Sequence, residues 1–386
     1  MAVEVLPGNR LTLLRSGVEY FPALEAAIRG AQREIFLETY IYAGDATGER
    51  ITKALCEAAR RGVAAHVLVD GFGSRDMPGE FARELRDAGA RLLVFRPEVW
   101  RFPFRRDRLR RMHRKIAVAD GRVAFVGGIN IIDDMDTPRQ VPPRHDYAVK
   151  IEGPLLGPIQ GAAVRLWNRV ALARLEHRWR VSHPVPAHVA RAGSQRAALV
   201  VRDNVRHRRD IEDAYLEAIA SAREEIIIAS AYFFPGRRFR RALTGAAARR
   251  VRVVLLLQGR VEYVLLHYAS HALYGPLLEA GVEIYEYHKS FMHAKVAVVD
   301  GHWATVGSSN IDPFSLMLAR EANAVVEDRR FGAELRAKLR ADIEHGARVV
   351  ARTRWFRQPL RRRIPMWIGY GLARLAIGVF GFGGRF

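Results

Sequence analysis

Short runs of β-branched and aliphatic residues recur along the 386-residue chain, each followed by a stretch whose apolar positions return at helical spacing. Residues 33–71, "REIFLETYIYAGDATGERITKALCEAARRGVAAHVLVDG", predict a buried strand, a loop carrying tyrosine, an Ala- and Arg-rich helix and a second buried strand. Residues 224–259, "EEIIIASAYFFPGRRFRRALTGAAARRVRVVLLLQG", repeat that order. A helix is expected upstream of each, over 22–32 and 211–223, and a longer one over 158–180. Strands alternating with helices predict an α/β layered fold with a largely parallel sheet. Residues 181–196, "VSHPVPAHVARAGSQR", are rich in Pro, Gly and Ser and are expected to link two similar domains, 1–180 and 197–350. Two such α/β domains are expected to pack about a pseudo-twofold axis and bring equivalent loops into one shared cleft. A tail follows over 351–386.

The repeat is sharpest at "MHRKIAVADGRVAFVGGIN" (112–130) and "MHAKVAVVDGHWATVGSSN" (292–310), identical at 11 of 19 positions without a gap. In the first copy His113 and Lys115 are two apart and share a strand face. Asp120 opens a turn into a second short strand, Gly127 and Gly128 allow close backbone approach, and Asn130 follows. The second copy supplies His293, Lys295, Asp300, Gly307, Ser308, Ser309 and Asn310. Two lysines and two amides suit the oxygens of a phosphate. Two imidazoles let one attack as nucleophile while the other serves as general acid and then base. That set performs phosphoryl-group transfer through a phosphohistidine, with the lysines carrying the charge a metal ion would otherwise supply. Zinc is the rival use of paired histidines, but a lysine beside each His repels a metal. Asp120 and Asp300 are expected to brace their loops. Each His needs a partner to set its tautomer. The acids opening the next predicted strands are Asp146 in "RHDYAVKIEG" and Glu321 in "LAREANAVVED", so Asp146 is expected to orient His113 and Glu321 to orient His293.

Charge narrows the partner. Sixty-two Lys and Arg against 41 Asp and Glu leave +21, which fits nucleic acid or an anionic membrane surface, although an Arg-rich composition raises it regardless of function. One cysteine, Cys56, excludes an intramolecular disulfide and reads as a packed helix residue. The N-terminus carries no signal-peptide pattern. Arg105, Arg106, Arg110 and Arg111 precede His113, interleaved with Phe102 and Phe104, and suit lipid headgroups or single-stranded nucleic acid. Phe102, Phe104, Tyr232, Phe233 and Phe234 are expected to line the site and exclude water. Residues 360–386 place Arg361, Arg362 and Arg363 before 21 residues whose only charge is Arg374, with six glycines over the segment. The charge and the glycines favour a segment lying in the membrane interface over a span, and a packed terminal helix is the alternative.

The spacing HxK, four residues, Asp, six residues, Gly, two residues, Asn, present twice, resembles the phospholipase D superfamily from about residue 10 to 350. Within it, "RRMHRKIAV", "ASAYFFPGRRF" and "HWATVGSSNIDPFSLMLAREANAVV" are similar to bacterial cardiolipin synthases of the B type, which lack N-terminal membrane helices. The resemblance implies two α/β/α domains and phosphatidyl transfer through His113, Lys115, Asn130, His293, Lys295 and Asn310, with the first-half His as nucleophile. It implies phosphatidylglycerol and other anionic phospholipids as partners, no cofactor, and a peripheral place on the cytoplasmic face of the bacterial inner membrane. Nucleic acid is not expected as a partner. A lipid hydrolase or nuclease of the same superfamily is the enzymatic rival, and a basic binding scaffold the non-enzymatic one. The chain carries no GxxxxGK[ST] phosphate loop, and exchange of one phosphodiester for another needs no nucleotide.

Overall fold

The computed structural model describes residues 4–97, 110–137, 141–261 and 264–380. The first half contributes β1 (Leu6–Arg15), β2 (Glu34–Thr39), β3 (Ala64–Asp70), β4 (Arg91–Phe95), β5 (Lys115–Ala119), β6 (Val123–Gly127) and β7 (Tyr147–Glu152). The second contributes β8 (Gln195–Arg202), β9 (Glu225–Ser230), β10 (Arg252–Gln258), β11 (Glu283–Tyr287), β12 (Lys295–Val299), β13 (Trp303–Gly307) and β14 (Glu321–Glu327), with β15 (Ala347–Val349) on the edge. They form one 15-stranded sheet in the order β15-β11-β10-β9-β12-β13-β14-β8-β1-β7-β6-β5-β2-β3-β4. Read outward from the central antiparallel pair β1–β8, both halves give the same order, as the sequence repeat requires.

The expected parallel sheet is corrected. Parallel pairing is confined to β2–β3–β4 and β9–β10–β11, where helices cross over between strands. The motif strands β5–β6 and β12–β13 are antiparallel, because three-residue turns over 120–122 and 300–302 leave no length for a crossover.

Helices cover both faces: α1 (Ser16–Gly30), α2 (Ala46–Arg60), α3 (Gly79–Asp87) and α4 (Leu156–Ala173) in the first half, then α5 (Asp210–Ser221), α6 (Arg237–Ala248), α7 (Val264–His271), α8 (Tyr274–Glu279), α9 (Pro313–Met317) and α10 (Arg329–Gly346). The strands alternate their faces. Ile35 and Leu37 pack under α1 and α2, whereas Phe36 joins a core containing Trp167 of α4, Leu335 and Leu339 of α10, and strands from both halves. That common core makes the halves one packed unit. Cys56 lies buried on the inner face of α2, as read. Asp45 and Asp328 cap α2 and α10, accepting from Gly48 N–H at 2.9 Å and Phe331 N–H at 2.8 Å.

Beyond β15, α11 (Arg352–Phe356) and α12 (Leu360–Phe380) form the tail. No helix among the described residues is long and apolar enough to cross a membrane. Instead α12 packs on α7: Tyr370, Ala373 and Ile377 meet Phe234, Ala269 and Leu273. A Cβ at Gly369 would stand 2.9 Å from the Tyr268 Cβ, so glycine permits the close crossing. The opposite side is open, with Leu360, Ile364, Trp367, Ile368, Leu372 and Leu375 exposed beside Val264 and Leu265 of α7. The tail is thus a packed terminal helix with an uncovered apolar face.

Candidate active site

Each motif hairpin positions its His and Lys just before the strand pair, and backbone ladders then join the two halves. His113 N–H donates to Arg320 O at 2.9 Å, and Arg320 N–H donates to Arg111 O at 2.7 Å. Likewise His145 N–H donates to Phe291 O at 2.8 Å and His293 N–H to His145 O at 2.7 Å. These parallel bridges set Glu321 beside His113 and Asp146 beside His293.

The acid assignments are therefore exchanged relative to the sequence expectation. His113 Nδ1 lies 3.0 and 3.1 Å from the two Glu321 oxygens, and His293 Nδ1 lies 2.7 Å from Asp146 Oδ2. The physical reason is strand order. Asp146 precedes β7, which β6 separates from β5, so the same-half acid stands two strand spacings away, roughly 9–10 Å. The other half supplies the nearer carboxylate.

The two acids are seated differently. A Cβ at Gly128 would stand 2.4 Å from Asp146 Oδ1, so glycine makes room for the shorter acid. At the matching place Ser308 Oγ donates to Glu321 Oε2 at 2.5 Å and fixes the longer one. Gly128 and Ser308, at matched places of the two motifs, thus suit the Asp and Glu they serve. Gly127 and Gly307 permit strand contact, since a Cβ would meet Ala148 Cα at 2.5 Å or Asn323 Cα at 2.6 Å. Ser309 N–H donates to Asn323 Oδ1 at 3.3 Å.

Lys115 and Lys295 are buried; Lys115 Nζ donates to His113 O at 2.6 Å, and Lys295 Nζ to His293 O. Lys295 Nζ is also 3.7 Å from Asp146 and 2.7 Å from His293 Nδ1. With the Asp146 carboxylate 2.7 Å away, Nδ1 carries the proton and donates a hydrogen bond to it, leaving Nε2 with its lone pair. Asn130 Oδ1 accepts from Ile41 N–H at 3.1 Å and Asn310 Oδ1 from Tyr232 N–H at 3.4 Å, which turns each NH2 the opposite way. Asp120 accepts from the N–H groups of Gln32, Arg33 and Glu34 at 2.8–2.9 Å, and Asp300 from those of Arg223, Glu224 and Glu225 at 2.9 Å. Both are loop braces, as expected.

Burial shapes the protonation states. It pulls His113 below the ordinary imidazole value, with Glu321 opposing and Lys115 adding to the effect. Burial and then Lys295 push His293 down to about 3. Burial lowers Lys115 to about 7. Burial would raise Asp146, but Lys295 and His293 outweigh it and hold the carboxyl below its usual range. Both imidazoles are accordingly neutral near pH 7, the state a nitrogen nucleophile requires.

Some expected site residues fall elsewhere. Phe233 and Phe234, in the loop after β9, are both buried in separate apolar clusters; Phe234 does not line the centre, and Phe233 borders a pocket with Ala231 and Tyr232. Phe102, Phe104, Arg105 and Arg106 lie outside the described residues. Arg111 turns into the protein, 4.8 Å from the Phe72 ring centroid and 3.8 Å from Asp70, and Arg110 is half-buried. Arg361, Arg362 and Arg363 are exposed at the start of α12. Three neighbours were not singled out from the sequence. Tyr40 packs its ring 4.7 Å from His113, Phe291 stacks 6.3 Å from His293, and Asp70 accepts from Met112 N–H at 2.9 Å to hold the motif's entry. Only the tyrosine in each post-strand loop hinted at Tyr40.

The family model described as "Cardiolipin synthase, PLD-like domain" matches residues 24–138 and 215–343, taking in both motifs. The chain belongs to this family. Among its relatives, cardiolipin synthase B of Escherichia coli K12 is 42% identical over 346 residues, covering 90% of this chain and 83% of that one. Cardiolipin synthase of Geobacillus kaustophilus is 33% identical over 358 residues, covering 92% and 70%. The cardiolipin synthase fold extends to remote proteins: the crystal structure of phosphatidylserine synthase from Haemophilus influenzae Rd KW20 superposes with a TM-score of 0.70 at 13% identity, covering 95% and 93%. The chain is accordingly a phosphatidyltransferase of the cardiolipin synthase family, with the two-domain repeat expected from its sequence.

Proposed function

We propose that the protein joins two phosphatidylglycerols into cardiolipin and releases glycerol, with His113 as nucleophile and His293 as acid and base. The observation that carries the assignment of roles is the crossed pair of acid-held imidazoles, each with a lysine at its side, in a chain of the cardiolipin synthase family. Glu321 accepts a hydrogen bond from His113 Nδ1–H, so Nε2 presents its lone pair to phosphorus. The lysines and the Asn130 and Asn310 amides draw charge from the phosphate oxygens as the pentacoordinate state forms. A phosphodiester anion between the lysines raises the proton affinity of His293, so substrate binding charges the acid that protonates departing glycerol. The neutral His293 left behind then takes the proton of the incoming hydroxyl. Purified protein on phosphatidylglycerol vesicles should yield cardiolipin and glycerol in equal amounts by mass spectrometry. Phosphatidic acid as the dominant product would make it a hydrolase instead.

The protein acts on phospholipid, and we place it on the membrane surface at its cytoplasmic side through the uncovered face of α7 and α12. Trp367 is 55% exposed and Leu375 64%, on a helix that opens with three exposed arginines. Apolar side chains flanked by cations suit the headgroup boundary of an anionic bilayer. Truncating the tail would also uncover the Phe234 cluster, so surface substitutions are the cleaner probe. Trp367→Glu with Leu375→Glu should weaken binding to anionic vesicles by about tenfold or more, most visibly at high salt, where the basic surface is screened. Turnover on detergent-dispersed lipid should hold. Equal losses in both assays would mean that this face is catalytic rather than docking.

A further inference from the structure

The surroundings of His293 differ from those of His113 at three matched places. Val69 and Leu257 pair with Thr39 and Ser230, which sets Asp70 against Gln258. Gly71 N–H donates to Phe95 O and Gly259 N–H to Tyr287 O, so Phe72 matches Arg260. Tyr42 bridges Ile131 as Phe233 bridges Ile311, so Tyr40 matches Ala231. In the first half this volume is filled. Tyr40 covers His113, Lys115 Nζ lies 5.4 Å over that ring, and Asp70 accepts from Met112, Phe72 and Gly73 N–H groups at 2.9–3.1 Å. In the second half alanine replaces the ring and a pocket open to solvent lies there instead.

That pocket is lined by Ala231, Tyr232, Gln258, Arg260, His267 and Ser270, among others. Gln258 is 8% exposed, and neither atom of its amide has a hydrogen-bond partner among the described residues. A buried amide left unmatched is costly, and a ligand's hydroxyls would satisfy it. One wall is hydrogen-bonded to the catalytic motif: Ala231 N–H donates to Ala294 O at 2.9 Å, and Tyr232 N–H to Asn310 Oδ1 at 3.4 Å. The other is α7, whose outer side carries the uncovered apolar face.

We propose that this pocket is the alcohol subsite, taking the glycerol headgroup of the acceptor lipid and, in the first step, the glycerol that leaves. The assignment rests on the transferase reading above. When His113 bonds to phosphorus, the P–O bond to glycerol breaks and His293 gives that oxygen its proton. When the acceptor hydroxyl bonds to phosphorus, its proton passes to His293 and the P–N bond breaks. Both alcohols therefore stand on the His293 side, and one pocket serves both. Its lining suits a polyol. The Gln258 amide donates and accepts, and Ser270 Oγ spends its proton on Leu266 O at 2.8 Å and keeps lone pairs for a ligand. Among the described residues no carboxylate lines it; Glu286 stands behind His271, bonded to its Nε2 at 2.9 Å.

The test is a competition for one intermediate. Phosphatidylglycerol in detergent is given equal deuterated glycerol and propan-1-ol, and labelled phosphatidylglycerol and phosphatidylpropanol are counted by mass spectrometry. The natural protein should favour glycerol by about tenfold or more, and Gln258→Met and Ser270→Ala should each bring the ratio toward one. In a parallel competition of ethanolamine against propan-1-ol, Gln258→Glu should raise the ethanolamine product about tenfold, because the ammonium gains a carboxylate. Each ratio compares two products of the same molecules, so a partly folded variant still reports it. A natural-protein ratio near one, or one that Gln258→Met leaves unchanged, would overturn the pocket assignment alone. Phosphatidic acid with no captured alcohol would overturn the transferase reading itself.

Discussion

Phosphatidyl transfer is expected to fall by more than about 10⁴-fold in His113→Ala, with the fold unchanged by circular dichroism. The residue contributes a bond to phosphorus, so its loss removes the two-step route and leaves only direct attack by an alcohol that the site still orients. The lysines and asparagines remain in that variant, which is why some turnover above background is expected. Core packing does not depend on the imidazole, which contacts the Tyr40 ring and the Glu321 carboxylate at the site itself. Removing it does leave the buried Glu321 without one partner, although Ser308 still donates to that acid. Cardiolipin formation is measured under single-turnover conditions with excess enzyme. Rates within tenfold of the natural protein would sink the covalent mechanism.

The second large effect concerns the crossed acids. Glu321→Gln and Asp146→Asn should each reduce transfer by about 10³–10⁴-fold, since an amide in place of the carboxylate leaves the imidazole in the wrong tautomer. The two losses should differ in kind. A phosphatidyl donor with a nitrophenol leaving group needs no acid to depart. With it, Asp146→Asn disables only His293, so phosphatidyl-enzyme forms and accumulates, as it should in His293→Ala. Glu321→Gln disables His113, so no adduct forms. Intact-protein mass spectrometry reads the adduct directly. The opposite pattern, with adduct in Glu321→Gln and none in Asp146→Asn, would mean that each acid serves the histidine of its own half or that the nucleophile is His293.

The residues of the centre were legible because the repeat repeats chemistry. A chance HxK carries little, but His, Lys, Asp, Gly and Asn at one spacing twice over point to paired half-sites. Periodicity likewise placed the strands, with Cys56 on its helix and Asp120 and Asp300 as braces. The errors share one origin. Asp146 and Glu321 were both identified, yet each was assigned to the histidine nearest along the chain. Phe233 and Phe234 follow the catalytic-side tyrosine, yet the loop after β9 buries them in two different apolar clusters.

The sequence by itself determined which side chains are available, that they come in two matched sets, and which local elements carry them, since period and turn chemistry act over a few residues. Partnership was decided only in three dimensions. The interposed strands β6 and β13 hold each acid away from its own histidine, while the ladders at Arg320 and His145 bring it to the other. The open pocket beside His293 arises the same way: Ala231, Gln258 and α7 meet in space because β9 and β10 are adjacent in the sheet and their loops emerge on one side. Hydrogen bonds act over about 3 Å, and which groups come that close is set by strand order rather than by distance along the chain.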